Sequence, residues 1–91
     1  MNDQILRRYV RDDRLVDFPG RWTRQLAVLG HVSLNTFVPG ERYDEKTVNE
    51  RLARWCENGP IDHVSIRRYL VEAGYLSRAD GEYWMTGPAL T

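Results

Sequence analysis

Between Asp62 and Thr86 the apolar positions change from helical spacing to short strand-like runs. Ile66, Tyr69, Leu70 and Ala73 recur at helical intervals and mark one apolar face. Asp62 precedes them as an N-cap, with a carboxylate placed to accept from the first-turn amides. Gly74 is expected to end the helix, because it adopts the left-handed conformation without a Cβ penalty. Tyr75 to Ala79 and Glu82 to Thr86 then flank Asp80-Gly81, a type I′ hairpin signal. That turn pairs Ala79 with Glu82, Arg78 with Tyr83, Ser77 with Trp84 and Leu76 with Met85. Leu76, Arg78, Tyr83 and Met85 share one side of the ribbon. Tyr75, Ser77, Glu82 and Trp84 share the other, so one of Tyr83 and Trp84 is expected to be partly exposed.

The preceding chain reads as three more helices. Ile5, Leu6, Tyr9 and Val10 form one face of the first, with Asn2 or Asp3 as its cap and Arg7, Arg8 and Arg11 on the other side. Arg14 to Phe18 is expected to be extended, closed by Pro19-Gly20. A second helix runs from about Trp22 to Leu34. Trp22, Leu26, Leu29 and Ser33 line its inner side, widened by Val28 and Val32. Arg24, Ala27 and His31 lie opposite, which makes His31 a surface residue. Asn35 ends this helix, and Phe37-Val38 is the place for a very short strand before the Pro39-Gly40 turn. Asp44 caps the third helix, with Glu45 favourable in its first turn. Val48, Leu52, Trp55 and Cys56 are its buried stripe. Lys46, Glu50, Arg54 and Glu57 are its wet side, with i, i+4 pairs Lys46–Glu50 and Glu50–Arg54. Asn58-Gly59-Pro60 stops it.

Helix, turn, helix, hairpin is the order of a winged helix. The expected fold is therefore a single α+β, winged helix-turn-helix-like domain over 1–91. It has three core helices and a C-terminal two-stranded wing in 21–91, with an added N-terminal helix and extended arm in 1–20.

Composition narrows the function. Thirteen basic and thirteen acidic side chains cancel, whereas dedicated nucleic-acid binders usually carry a basic excess. One cysteine makes no internal disulfide, which suits a reducing cytoplasm. No apolar run approaches the roughly 20 residues of a membrane span, and the N-terminus lacks the apolar core of a signal peptide. No Gly-rich phosphate loop, nucleophile elbow or HExxH pair is present, so no catalytic residue is assigned. Cys56 reads as a core thiol. Cys56, Asp62 and His63 lack repeated ligand spacing, and neither a metal nor a cofactor is expected.

A set of residues spread along the chain carries a family resemblance. It includes Leu6-Arg7-Arg8-Tyr9, Arg14-Leu15, Phe18-Pro19, Leu26, Val28-Leu29 and Phe37. It continues through Pro39-Gly40, Tyr43, Glu45, Val48-Asn49 and Leu52. The most specific block is Asp62, Ile66 to Val71, Gly74, Leu76, Arg78, Gly81 and Tyr83-Trp84. With these the chain resembles a family of small bacterial domains of unknown function. Such domains occur at the C-terminal end of helix-turn-helix regulators and as stand-alone short proteins. The resemblance implies a regulator-like winged helix and transfers no activity.

Two functions follow. In the first, the helix after Asp62 enters a DNA major groove and the ribbon reaches the backbone, with Ser65, Arg67, Arg68 and Arg78 as the double-stranded DNA-facing set. In the second, Val64, Val71 and Trp84 dock a partner protein or a second copy. Arg67 and Arg68 also have a structural reading, packed beside the core and paired with Glu72, Asp62 or Asp44. Arginines gathered in one patch favour DNA; arginines tied to carboxylates favour the structural reading.

Overall fold

Among the described residues, four helices and two small antiparallel sheets build an α+β structure. In order these are α1 (Asp3–Tyr9), β1 (Val10–Arg11), β2 (Arg14–Leu15), α2 (Trp22–Thr36) and β3 (Arg42–Asp44). Then come α3 (Glu45–Cys56), α4 (His63–Glu72), β4 (Leu76–Ala79) and β5 (Glu82–Met85). The computed structural model describes residues 3–87, without the side chains of Asp3 and Ile5. The expected Asn2 or Asp3 cap and the place of Ile5 on the first helical face lie outside the described residues.

The α3 and α4 N-termini form as their sequences dictate. Asp44 Oδ1 accepts from the Thr47 amide at 2.8 Å, and Asp62 Oδ1 from the Ser65 amide at 2.7 Å. Each bond satisfies a first-turn donor that has no intrahelical partner. Gly74 takes φ 81° after α4. Its amide donates to Val71 O, and the Tyr75 amide reaches back to Leu70 O, which is a Schellman closure. The β4–β5 register is the expected one, Leu76 opposite Met85 through Ala79 opposite Glu82. Tyr83 is the inward aromatic and Trp84 the half-exposed one.

Three inner helix faces and the ribbon share one core. Val28, Leu29 and Val32 of α2 meet Val48, Leu52 and Trp55 of α3, and Ile66 and Leu70 of α4; Leu76 and Tyr83 close it from the sheet. Leu15 and Tyr9 extend the core toward the N-terminus.

Several local expectations are corrected. The ribbon is not two-stranded: β3 pairs with β5, placing Tyr43 opposite Tyr83. That strand is Arg42–Asp44 and not Phe37-Val38. Phe37 instead ends α2, its amide donating to Ser33 O, while its ring packs edge-on to Tyr43 at 5.1 Å. Three residues with one inward side chain give too short an alternation to stand out in sequence. The arm is a hairpin, since β2 turns back on β1 through Asp12 and Asp13 at φ 53° and 58°. Val10 therefore leaves the helix for a strand. Helix α2 continues to Thr36, and the Asn35 side chain donates to His31 O inside the last turn. Trp22 is exposed because it is the first residue of α2, whose buried positions begin at Val28. His31 is half-buried, edge-on to Trp55 at 5.8 Å. Among the described residues neither Lys46–Glu50 nor Glu50–Arg54 forms an ion pair.

Gly59 fixes the turn before α4 by close approach. A Cβ there would stand 2.6 Å from Leu15 O and 3.3 Å from Cys56 O. Neither backbone oxygen can swing away as a flexible side chain would. Gly59→Ala is therefore expected to destabilise the protein by about 1–3 kcal/mol, as other forced overpacking does. Leu70→Ala, at a fully buried position, should cost about 2–5 kcal/mol. Urea unfolding of both variants checks these values. An unchanged midpoint for Leu70→Ala would contradict the packing described.

Candidate nucleic-acid interface

Helix α4 buries Ile66 and Leu70, which leaves Val64, Arg68 and Val71 along its outer side. These residues border a groove of about 200 Å³ between α4 and the ribbon, together with Arg67, Glu72, Arg78 and Tyr83. Three arginines and one glutamate thus surround an apolar floor. The groove unites three of the four residues expected to face DNA with two of the three expected to face a partner.

The arginines are not equivalent. Arg67 points inward: its Nη1 donates to Asn49 Oδ1 at 2.7 Å and lies 3.8 Å from Glu45 Oε1. Its side chain is only 18% exposed. Tyr83, across from Arg78 on the ribbon, donates its hydroxyl to the same Glu45 Oε1 at 3.0 Å. Arg67 thereby holds α4, α3 and β5 together and presents little of itself to solvent. Arg68 is 61% exposed, with Nε 4.0 Å from Glu72 Oε2 one turn on. Pairs this exposed contribute little, about 0–1 kcal/mol, and a stronger anion can replace the glutamate. Arg78 is exposed, lies over the Tyr83 ring at 5.6 Å, and forms no ion pair among the described residues.

Two expected residues fall elsewhere. Ser65 does not border the groove; at 3.6 residues per turn it stands about 100° around the helix from Val64. Its amide serves the Asp62 cap. Trp84 alternates to the opposite face of the ribbon, where the Arg42 guanidinium stacks over its ring at 4.0 Å. It cannot join Val64 and Val71 in one surface. Asn49 and Glu45 are the supporting residues not foreseen. Their i, i+4 spacing put them on one side of α3, but nothing in the sequence said that α4 would lie against that side.

Charge is tuned at the helix start. The Ser65 backbone amide, then its side chain, and the nearby His63 and Arg68 charges hold the Asp62 carboxyl below its ordinary 3.8. Hydrogen bonds from Thr47 do the same for Asp44. Cys56 is half-buried, not fully buried as expected; burial first and the Asp62 charge second push its thiol up to about 11. The described residues contain no group of three or more metal-ligating side chains. No helix of the structure is long and apolar enough to cross a membrane.

A family model described as "Uncharacterized protein conserved in bacteria (DUF2087)" matches residues 14–85. The chain belongs to this family. No curated protein and no solved structure matches it. The DUF2087 match runs from β2 to the end of β5, so it includes every residue of the groove.

Two outcomes test this electrostatic description. Burial pushes the Cys56 thiol up to about 11, so thiolate is scarcer at neutral pH than for an exposed cysteine. Native labelling by a thiol reagent at neutral pH should be slow and should speed up on unfolding; rapid native labelling would contradict it. The two caps have depressed folded values, so their stabilisation is fully present above the ordinary 3.8 and is lost as pH falls through the folded value. A double variant with Asp44→Asn and Asp62→Asn keeps capping oxygens and should lose part of the stability decline below about pH 4. An unchanged acid limb in urea midpoints would oppose this.

Proposed function

We propose that this DUF2087 domain is a winged-helix module that contacts double-stranded DNA through α4 and the β4–β5 ribbon, as an accessory domain of bacterial transcription regulation in the cytoplasm. The succession α2, β3, α3, α4, β4, β5 supports the winged-helix reading, as does β3 lying beside β5. In that order α4 is the second helix of the helix-turn-helix, the one that enters the major groove. The observation that carries the proposal is the groove rim: Arg68 and Arg78, both exposed, stand beside one glutamate in a chain whose net charge is zero. Arg68 supplies a contact to a base edge or phosphate, Arg78 a phosphate contact from the ribbon, and Val64 an apolar contact for a thymine methyl. Arg67 acts as a positioning residue through Asn49 and Glu45.

One observation favours a second reading. Val64 is 46% exposed, and Val71 borders the same groove. A protein segment with an apolar side chain beside a carboxylate would satisfy this floor and its arginine rim equally well.

Titration of a labelled duplex at several salt concentrations separates them. With two available arginines, log K should fall against log salt with a slope of about −2. Arg78→Ala should flatten the slope by about one contact, and Arg68→Ala should weaken a preferred site by about 1–3 kcal/mol if it reads a base. Absence of binding at low salt would overturn the DNA reading and leave the protein-docking one.

A further inference from the structure

A second surface concavity, larger than the α4 groove, lies away from it and shares no residue with it. It is a cleft of about 540 Å³ between the β1–β2 turn, the end of α2 and the C-terminal half of α3. Trp55, 5% exposed, contributes to its lining and donates its indole Nε1 to Thr36 Oγ1 at 2.8 Å. Arg51 and Arg54 come from α3, and Asp12 and Asp13 from the turn. Arg51 is held in place: it donates to Thr36 O at 3.1 Å and lies over the Tyr43 ring at 4.9 Å. Arg14 also reaches the cleft, but it is paired with Glu57 at 2.8 Å and that pair neutralises itself. Neither aspartate forms an ion pair with Arg51 or Arg54 among the described residues. Opposite charges therefore stand on separate elements around an open space of ligand size.

The turn itself is unusual. Both of its central residues hold positive φ, 53° and 58°, where such turns favour Asn-Gly.

We propose that this cleft binds a small zwitterion of the α-amino-acid class. Its carboxylate meets Arg54 and Arg51, and its ammonium meets Asp12 and Asp13. A simple anion would face the two aspartates, and a simple cation the two arginines. A molecule bearing both charges at short separation satisfies both sides, with the edge of Trp55 beside its carbon skeleton.

The test is a titration of the isotope-labelled full chain with L-glutamine, whose side chain adds no charge, following the Trp55 indole N–H by NMR. Acetate and methylammonium serve as single-charge probes. L-glutamine should shift the signal saturably, at least about tenfold more tightly than either probe, since each charged hydrogen bond contributes at about that level. Arg54→Gln and Asp12→Asn should each weaken it about tenfold or more. Both residues are exposed, so an unchanged Tm confirms intact folding, and Asp13→Asn replaces either variant that unfolds. Absence of a saturable shift, equal binding of acetate alone, or unchanged affinity in the variants would each overturn the proposal.

Discussion

The structure turns on Tyr83. Its ring is almost fully buried, it lies opposite Tyr43 and Arg78 in the sheet, and its hydroxyl donates to Glu45 at the start of α3. Arg67 comes to the same carboxylate from α4 and bonds Asn49 one turn further along α3. A hydroxyl, a carboxylate, an amide and a guanidinium thus join two helices and the central strand at the rim of the core. Burying the Tyr83 hydroxyl and most of the Arg67 guanidinium would be costly if they were unpaired, and here both have partners. The Arg67–Asn49 bond ties α4 to α3 beside this cluster, so a roll of α4 would break it.

That constraint shapes the outer surface. Drawing Arg67 inward leaves Arg68 and Arg78 as the arginines that the groove offers to an anion, and it turns Val64 and Val71 outward beside them. The surface is therefore a mixed one, apolar along the helix and basic at its edges. Under the DNA-binding proposal such a surface would rely on few charged contacts, in keeping with a chain of balanced charge. The cleft beside Trp55 is lined by different residues, with charges of both signs around an open space.

Much of the scaffold could be read from local chemistry. The Asp44 and Asp62 caps, the Gly74 stop and the Asp80-Gly81 turn each depend on a residue and its immediate neighbours, and each forms as expected. The hairpin register follows from turn length alone. What sequence did not reveal needs contacts between distant segments. β3 exists because β5 pairs with it, and three residues with one inward Tyr43 carry no periodic signal of their own. The Asp12-Asp13 turn lacks the glycine that marks such turns, so the β1–β2 hairpin was hidden. Helical spacing and register grouped Arg67, Arg68 and Arg78, and the three do border one groove. Arg67's inward role was not legible, because Asn49 lies 18 residues away on another helix. Ser65 was grouped with Arg68 by helical spacing but does not border the groove; Trp84 lies on the ribbon side that alternation gave it, opposite Arg78 and Tyr83, so it does not share a surface with Val64 and Val71.

The most direct measurement is a double-mutant cycle on folding stability with Tyr83→Phe and Arg67→Met. Tyr83→Phe keeps the ring and removes the hydroxyl bond to Glu45; Arg67→Met keeps much of the stem and removes the bonds to α3. If Tyr83 and Arg67 act through one shared carboxylate, the two losses should be non-additive, with a coupling of about 0.5–3 kcal/mol. Losses that add within about 0.3 kcal/mol would show that the ribbon and α4 are held independently and would contradict the account.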